Sequence, residues 1–381
     1  MGSRQFSSNY IPALDGIRGI AILLVMLFHV GNPIFKGGFI GVDVFFVLSG
    51  FLITSLLLNE YDKNFNINLK YFYARRILRL APALLVLLIT ITLISIFILE
   101  YNQTKDNLYS VLITLFYSAN WVRAFNLYDL GYLNHTWSLS IEEQFYIIWP
   151  FLLITLLRII KSRKHVLNIV IFLSVASWIL RIILQFKGYD ADRLYNGLDT
   201  RADALLTGCV LSLILSSNLI DFRREKVSSC IKYLGMSAII SYILILLNIS
   251  WSSKLYFYFL AFLIQILTAF LILHILLPGD NYLKKVLTNK PLVWIGSISY
   301  GLYLWHDPVY EMIRMQGYSL WTIALLGITI TFAIASLSFY FIEKPILKLK
   351  SKFTTTLPKT INVLVKENVI TLNDVEHNTN K

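Results

Sequence analysis

Long uncharged apolar runs constrain this chain more than any other feature of its sequence. Residues 83–99 and 256–277 contain no Asp, Glu, Lys or Arg. A helix of about 20 residues rises ~30 Å, which is the thickness of a bilayer's hydrocarbon core. Only 15% of the 381 residues are charged, whereas soluble domains carry about 25%. The sequence therefore predicts an all-α, polytopic membrane protein and argues against a soluble enzyme.

Ten runs are long enough to predict transmembrane helices. They are 12–30, 38–58, 80–99, 137–157, 166–186, 200–216, 233–249, 256–277, 292–310 and 321–341. An eleventh run, 108–121, has only about 14 residues, a length typical of a re-entrant or interfacial segment.

The distribution of Lys and Arg predicts the orientation of these spans, because cytoplasmic loops are enriched in positive charge. With both termini cytoplasmic, 24 of the 34 basic residues fall on the cytoplasmic side. The net charge of +12 is thereby explained by topology, and no nucleic-acid partner is expected. We expect a cytoplasmic N-terminus (1–11), a transmembrane domain (12–345) and a cytoplasmic, partly disordered tail (346–381) in a multi-pass protein of the cell membrane.

Ionisable residues at membrane depth are costly and tend to face cavities, so they are candidates for function. Arg18 and His29 lie eleven residues apart in the first predicted helix, which brings them within about 20° of one face and ~16 Å apart along the axis. The alternative is a snorkelling Arg18 and a His29 that only bonds a neighbouring helix. Asp43 is expected at a similar height, where it either orients His29 or caps its own helix.

Three arginines, Arg75, Arg76 and Arg79, precede the third predicted span at its cytoplasmic end. Guanidinium groups suit phosphate recognition, so this group predicts a site for a phosphorylated cytoplasmic ligand. An ordinary positive anchor at the membrane surface is the alternative.

The segment NHTWSLSIEEQFYIIWP at 134–150 is the densest cluster of polar and aromatic residues entering a span. On a helix, His135, Ser138, Glu142 and Trp149 fall near one face. Two adjacent carboxylates at membrane depth favour a functional role over packing.

Two further segments carry polar residues into predicted spans. DTRADALLTG contains Asp199, Arg201 and Asp203, a self-compensating cluster that predicts either a structural salt-bridge network or a binding rim. ISYGLYLWHDPVY predicts a polar stripe on one helix face, with packing at the helix end as the alternative for its histidine. The stripe consists of Ser299, Tyr303, His306 and Tyr310.

Taken in order, these motifs resemble the acyltransferase-3 family of membrane acyltransferases across residues 11 to about 345. The segments that carry the resemblance are LDGIRGIAILLVMLFHV, GVDVFFVLSGFLI, FYARRILRLAP, NHTWSLSIEEQFY, RADALLTG and ISYGLYLWHDPV. The resemblance implies ten core helices and transfer of an acetyl group from cytoplasmic acetyl-CoA to a hydroxyl of a surface carbohydrate. Because few residues follow the last span, the chain resembles members without a fused extracytoplasmic domain.

The family's motifs map onto individual positions of this sequence. Its Arg-x10-His motif falls on Arg18 and His29, and its Arg-x-x-Arg motif on Arg76 and Arg79. The family's WSLxxExQFY element favours Glu142 over Glu143 as the functional carboxylate. That element matches Trp137, Ser138, Leu139, Glu142, Gln144, Phe145 and Tyr146.

The resemblance also implies a division of roles. His29 is expected to act as general base or to accept the acetyl group, with Asp43 or Glu142 fixing its tautomer. The expected ligands of the donor's phosphates are Arg18, Arg75, Arg76 and Arg79. Candidates for oxyanion or substrate contacts are Trp137, Gln144, Tyr146, Arg201, Asp203, Ser299, Tyr303 and His306.

The predicted acceptor is a surface carbohydrate or lipid-linked saccharide, such as an O-antigen, an exopolysaccharide or a peptidoglycan precursor. No metal is expected, because no HxxxH or HExxH spacing occurs. The alternative function is a transporter or flippase of a lipid-linked saccharide, which would use the same intramembrane charges for binding.

Overall fold

The computed structural model describes residues 10–279 and 281–353, and within them every regular element is helical. The expected cytoplasmic N-terminus and disordered tail lie largely outside the described residues. The helices are α1 Pro12–Val30, α2 Ile40–Asn64, α3 Leu69–Ile98, α4 Tyr101–Leu115, α5 Ala119–Ala124, α6 Trp137–Ile160, α7 Arg163–Phe186, α8 Ala191–Asn196, α9 Leu198–Ser216, α10 Glu225–Asn248, α11 Ala261–Leu276, α12 Tyr282–Leu287, α13 Lys290–Ser297, α14 Ser299–Arg314, α15 Leu320–Thr322, α16 Ile328–Ser338 and α17 Lys344–Leu347.

Eight helical stretches in the described part of the chain are long and apolar enough to cross a membrane. This confirms the prediction of an all-α, multi-pass membrane protein. The eight stretches are Pro12–Val30, Pro33–Asn64, Leu69–Ile98, Gly131–Ile160, Arg163–Phe186, Glu225–Asn248, Tyr256–Leu276 and Leu320–Leu347.

Two of the ten predicted spans depart from this pattern. The run 200–216 lies within α9, which carries three charged residues in its first two turns. The run 292–310 is divided between α13 and α14, which are separated at Ile298. The short run 108–121 lies partly in α4, a 15-residue helix. The number of ten spans and their orientation therefore remain predictions.

The first helix shows how local sequence sets the ends of these elements. Pro12 lies at the start of α1, where its missing N–H has no intrahelical acceptor to lose. At the other end Gly31 has φ of 88°, and its N–H donates to the carbonyl of Phe28. This left-handed cap suits glycine and ends the helix directly after His29.

Glycines bring the central helices into backbone contact. A Cβ on Gly50 would lie 1.9 Å from the carbonyl oxygen of Leu205, and one on Gly208 would lie 2.1 Å from that of Val47. Such close approach is the usual way in which membrane helices pack without a hydrophobic driving force. It locks α2 against α9, so the charged first turns of α9 lie beside the start of α2.

Two ends of the bundle can be defined from α1. The Arg18 end contains the start of α1, the end of α2 and the start of α3, and the His29 end contains the end of α1 and the start of α2. The two ends hold different groups of functional candidates.

Candidate functional site

A cavity of about 760 Å³ opens at the His29 end of the bundle. Its wall combines aromatic rings with acidic and amide side chains, a composition suited to a polar ligand that has apolar faces. The lining includes His29, Asp106, Asn107, Arg123, Tyr128, Tyr132, His135, Trp137, Tyr195, Trp251, Tyr303, Asp307 and Glu311.

His29 lies in this cavity with one ring nitrogen already engaged. Its Nδ1 lies 2.9 Å from the carbonyl oxygen of Val25 and 3.3 Å from Nε2 of His306. Nδ1 of His306 lies 2.6 Å from the carbonyl oxygen of Tyr303. Since a carbonyl only accepts, both Nδ1 atoms carry hydrogen in the neutral rings. His29 Nδ1–H is then shared by Val25 and His306, and the lone pair of His29 is on Nε2.

His135 and Asp307 form a second pair in the same cavity. Nδ1 of His135 lies 3.3 Å from Oδ2 of Asp307, and the His135 side chain is completely buried. The rings of His29 and His135 both contact His306, with centroids 4.8 and 5.3 Å from it. We call His29, His135, His306 and Asp307 the histidine cluster.

Tyr303 connects this cluster to α6. Its hydroxyl donates to the carbonyl oxygen of His135 at 2.7 Å, and it accepts from Ser138 Oγ at 2.6 Å. The predicted oxyanion role of Tyr303 would require this hydrogen to leave the His135 carbonyl. The tyrosine therefore positions the turn that carries His135.

A smaller pocket of about 40 Å³ lies on the Arg18 side of the large cavity, and Val42 and Tyr303 line both. Arg18, Glu142 and Ser299 line the small pocket. Two sequence-predicted groups, Arg18 and His29, thus line two pockets that share Val42 and Tyr303 in their walls.

The polar groups of the small pocket differ in whether the protein gives them a hydrogen-bond partner. Glu142 accepts from Ser49 Oγ at 2.7 Å, so its partner is not His29. Arg18 Nε is buried without a hydrogen-bond partner among residues 10–279 and 281–353. An unpaired buried donor of this kind fits an anionic or carbonyl-bearing ligand.

The three predicted phosphate ligands on α3 separate into two groups. Arg76 stacks on the Tyr146 ring at 3.9 Å, and Arg79 lies within electrostatic reach of Arg18 and Arg76. Arg75 instead pairs with Glu60 at 3.2 Å and donates to the carbonyl oxygen of Phe353 at 2.6 Å. The structure thus gives Arg75 partners within the protein, away from the other arginines.

Asp43 is the clearest correction to the expected site. It forms an ion pair with Arg201 at 2.8 Å and accepts from the Tyr256 hydroxyl at 2.8 Å, and all three side chains are buried. The prediction that Asp43 orients His29 is wrong, because α2 turns this carboxylate toward α9.

The charged residues at the start of α9 also differ from the prediction, because they do not compensate one another within a self-contained cluster. Asp203 pairs with Arg181 of α7 at 2.7 Å, and Asp199 pairs with Arg193 of α8. Because the helix points its charges in different directions, each finds a partner on another helix. We call the buried groups Asp43, Arg201, Tyr256, Arg181 and Asp203 the paired network.

Gln144 and Trp137 also have defined places. Gln144 donates to the carbonyl oxygen of Tyr117 at 2.7 Å and to Asn120 Oδ1 at 2.9 Å, which ties α6 to α5 and leaves no donor for an oxyanion. Trp137 lines the large cavity beside Tyr195, with ring centroids 4.7 Å apart.

Comparison with known proteins identifies the family. A family model described as an acyltransferase domain matches residues 11–340. The chain belongs to the acyltransferase-3 family. This confirms the resemblance drawn from the six sequence motifs.

Several curated acyltransferases match most of this chain. It is 39% identical over 358 residues to the peptidoglycan O-acetyltransferase OatA of Listeria monocytogenes, covering 90% of this chain and 57% of that protein. It is 36% identical over 356 residues to a putative peptidoglycan O-acetyltransferase of Bacillus subtilis, covering 89% and 55%. A putative O-acetyltransferase of Staphylococcus aureus is 37% identical over 350 residues, covering 89% and 58%. The chain thus spans little more than half the length of these relatives. No solved structure matches it significantly.

Among residues 10–279 and 281–353 of this acyltransferase domain, one group of side chains could hold a metal ion. Ligand atoms of His29, His306 and Asp307 lie within 4.8 Å of one another. Protein groups already engage these residues, because Val25 accepts from His29 and His135 pairs with Asp307. The prediction that no metal is used stays a prediction.

Sequence reasoning missed Asp307 and did not include His135 among the site residues. Both lie beside predicted site residues, in the segments NHTWSL and LWHDPV. The sequence did contain a signal for these two residues, because each adds an ionisable group to a segment at or near a predicted span. Their pairing joins the turn before α6 to α14, a contact that spacing along one helix does not reveal.

Proposed function

We propose that this chain is a membrane-embedded O-acetyltransferase that moves an acetyl group from cytoplasmic acetyl-CoA to a hydroxyl of a surface carbohydrate. One observation carries the proposal. The small pocket at Arg18 and the large cavity at His29 share Val42 and Tyr303 in their walls, so a donor and an acceptor that enter from opposite ends would approach each other beside His29.

The Arg18 end fits the donor. Arg18, Arg76 and Arg79 form a cationic group there, and guanidinium groups bind phosphate through charge-assisted hydrogen bonds. The predicted orientation directs this end to the cytoplasm, where acetyl-CoA is made. We assign these three arginines to the donor, and Arg75, engaged with Glu60, to support of the loop between α2 and α3.

The His29 end fits a carbohydrate acceptor. Tyr132, Trp137 and Trp251 supply aromatic faces, and Asp106 and Asn107 supply hydrogen-bond acceptors. Sugars present both C–H faces and hydroxyls, so such a mixed wall would orient them. The name of the Listeria relative, a peptidoglycan O-acetyltransferase, supports a peptidoglycan glycan as the acceptor.

His29 supplies the reacting group. Its Nε2 lone pair attacks the thioester carbonyl, forming a C–N bond as the C–S bond breaks and the thiolate leaves. Val25 and His306 hold the proton on Nδ1 and stabilise the positive charge that develops on the ring. The acetyl group then passes to the acceptor hydroxyl, whose oxygen forms the ester while the C–N bond breaks.

Transfer of labelled acetyl groups tests this function. Inverted membrane vesicles that contain wild type, His29→Ala or His165→Ala would receive radiolabelled acetyl-CoA, and label in the glycan fraction would be counted. His165 is an exposed histidine at the start of α7, so it is a matched control. We expect label with wild type and the control and none above background with His29→Ala.

Two results would contradict the proposal. Full labelling by His29→Ala would remove this histidine from the reaction. Movement of a lipid-linked saccharide across the vesicle membrane without acetyl-CoA, with no ester formed, would favour the alternative transport function.

A further inference from the structure

The proposed transfer leaves one ionisable pair in the cavity without a role. His135 lines the cavity and is completely buried, and Asp307 lies 3.3 Å from its Nδ1 with 11% of its side chain exposed. Neither ring nitrogen of His135 has a hydrogen-bond partner in the described part of the chain, and Nδ1 faces the Asp307 carboxylate. An unsatisfied buried nitrogen is unfavourable, so a purely structural role does not account for it.

The local fold holds this imidazole in one orientation. His135 lies in the 3-10 turn Gly131–Thr136 before α6, and the Tyr303 hydroxyl donates to its backbone carbonyl. A carboxylate beside Nδ1 selects the tautomer with hydrogen on that atom. Nε2 then carries the lone pair, as in histidines that act as general bases, and it is buried in a residue of the cavity wall.

The acetyl-transfer chemistry needs a second base. Once His29 carries the acetyl group on Nε2, that atom has no lone pair with which to remove the acceptor's proton. Nε2 of His306 already accepts from His29, and its Nδ1 donates to Tyr303. Within the histidine cluster, only His135 retains an imidazole nitrogen that is free to accept a proton.

We propose that His135 is the general base for the acceptor hydroxyl and that Asp307 positions and charge-stabilises it. The inference rests on the proposed function. The hydroxyl proton moves to Nε2 of His135 as the oxygen bonds to the acetyl carbon, and the C–N bond electrons return to His29. Asp307 stabilises the resulting imidazolium, which then releases its proton to water in the open cavity.

Separate measurement of the two half-reactions tests this assignment. Purified protein in nanodiscs would receive radiolabelled acetyl-CoA alone, and released CoA and labelled protein would be counted. The glycan fraction that wild type acetylates in vesicles would then be added, and loss of label from the protein would be followed. The variants are His135→Gln, His135→Ala, Asp307→Asn and Asp307→Glu, with His165→Gln as the control.

We expect His135→Gln to release about one CoA per protein in the first step at close to the wild-type rate. Its discharge to glycan is expected to slow by about 10²–10⁴-fold, the usual contribution of a general base. Asp307→Asn is expected to slow discharge by about 10–100-fold, and Asp307→Glu by less. Imidazole added to His135→Ala is expected to restore part of the discharge, which a structural role would not allow.

The outcomes separate this inference from the proposed function. Discharge by His135→Gln within about threefold of wild type, or equal loss of both half-reactions with unchanged thermal stability, would overturn the role of His135. If His135→Gln does not fold, Asp307→Asn provides the test. Selective loss of discharge in this variant would support the roles of His135 and Asp307, and normal discharge would overturn them. Wild-type protein that never acquires label would overturn the acetyl-histidine of the proposed function itself.

Discussion

The paired network and the histidine cluster both place ionisable groups inside the helix bundle, yet they are organised in opposite ways. In the network Asp43 contacts Arg201 and Tyr256, and Arg181 contacts Asp203, with every side chain fully buried. In the cluster Nε2 of His135 has no hydrogen-bond partner among the described residues, and His29 and His135 both line a cavity.

The difference distinguishes charges that neutralise one another from groups that stay unpaired beside a cavity. A charge that leaves water is tolerated when an opposite charge and hydrogen bonds replace its hydration. A group that keeps an unused lone pair beside a cavity retains the capacity to react. Burial of a polar group alone therefore does not indicate a functional site, whereas an unpaired polar group beside a cavity makes its residue a candidate.

The largest effect is expected from breaking the paired network. Arg201→Leu leaves Asp43 as an uncompensated buried charge, which costs about 3–5 kcal/mol. Thermal unfolding in detergent should show a strongly lowered midpoint. The double variant Asp43→Leu with Arg201→Leu should recover most of the lost thermal stability, since removing both charges of a buried pair is often nearly neutral. A single variant as stable as wild type would contradict a structural role.

The next effect concerns the histidine cluster and is catalytic. His306→Phe keeps a ring but removes one of the two acceptors of His29 Nδ1–H and leaves the Val25 carbonyl. We expect acetyl-protein to form about 10–100-fold more slowly. His306→Gln, whose amide oxygen can accept the same hydrogen bond, should lose less. Equal rates for the two variants in the labelling assay would rule out this orienting role.

A smaller effect is expected at the donor end. Arg18→Gln should raise the KM for acetyl-CoA about tenfold, since a charge-assisted hydrogen bond contributes about 1.5–3 kcal/mol. Arg75→Gln is the comparison, because Arg75 is already paired with Glu60, and its KM should change less than threefold. A larger effect at Arg75 than at Arg18 would reverse the assignment of the two arginines.

The smallest effect is expected on the cavity wall. Tyr128 donates to Asp106 at 2.8 Å, and desolvation together with Asp106 raises the pKa of Tyr128 to about 12. The hydroxyl therefore stays protonated up to about pH 10. Tyr128→Phe should raise the acceptor KM about threefold, with no added pH dependence between pH 7 and 9. If the wild-type KM rises across this pH range while the KM of Tyr128→Phe stays constant, the expectation that Tyr128 remains protonated is contradicted.

The sequence predicted members of both the histidine cluster and the paired network, but not how those members pair. Periodicity along one helix placed Arg18 and His29 on a common face, and they line two pockets that share Val42 and Tyr303. Sequence reasoning failed for Asp43 and Arg201. It predicted partners close to each residue along the chain, whereas the two residues pair with each other across distant helices. His135 and Asp307 were underestimated for the same reason, since neither has its partner nearby along the chain.

The sequence by itself determined the membrane-spanning helical architecture, the family and the positions of the ionisable residues. These depend on local properties: the length of apolar runs, the order of motifs and the period of a helix. Only the tertiary structure decided which charges neutralise one another and which face a cavity. That choice depends on how helices distant in sequence pack, as when the glycine contacts of α2 and α9 bring Asp43 to Arg201 and away from His29.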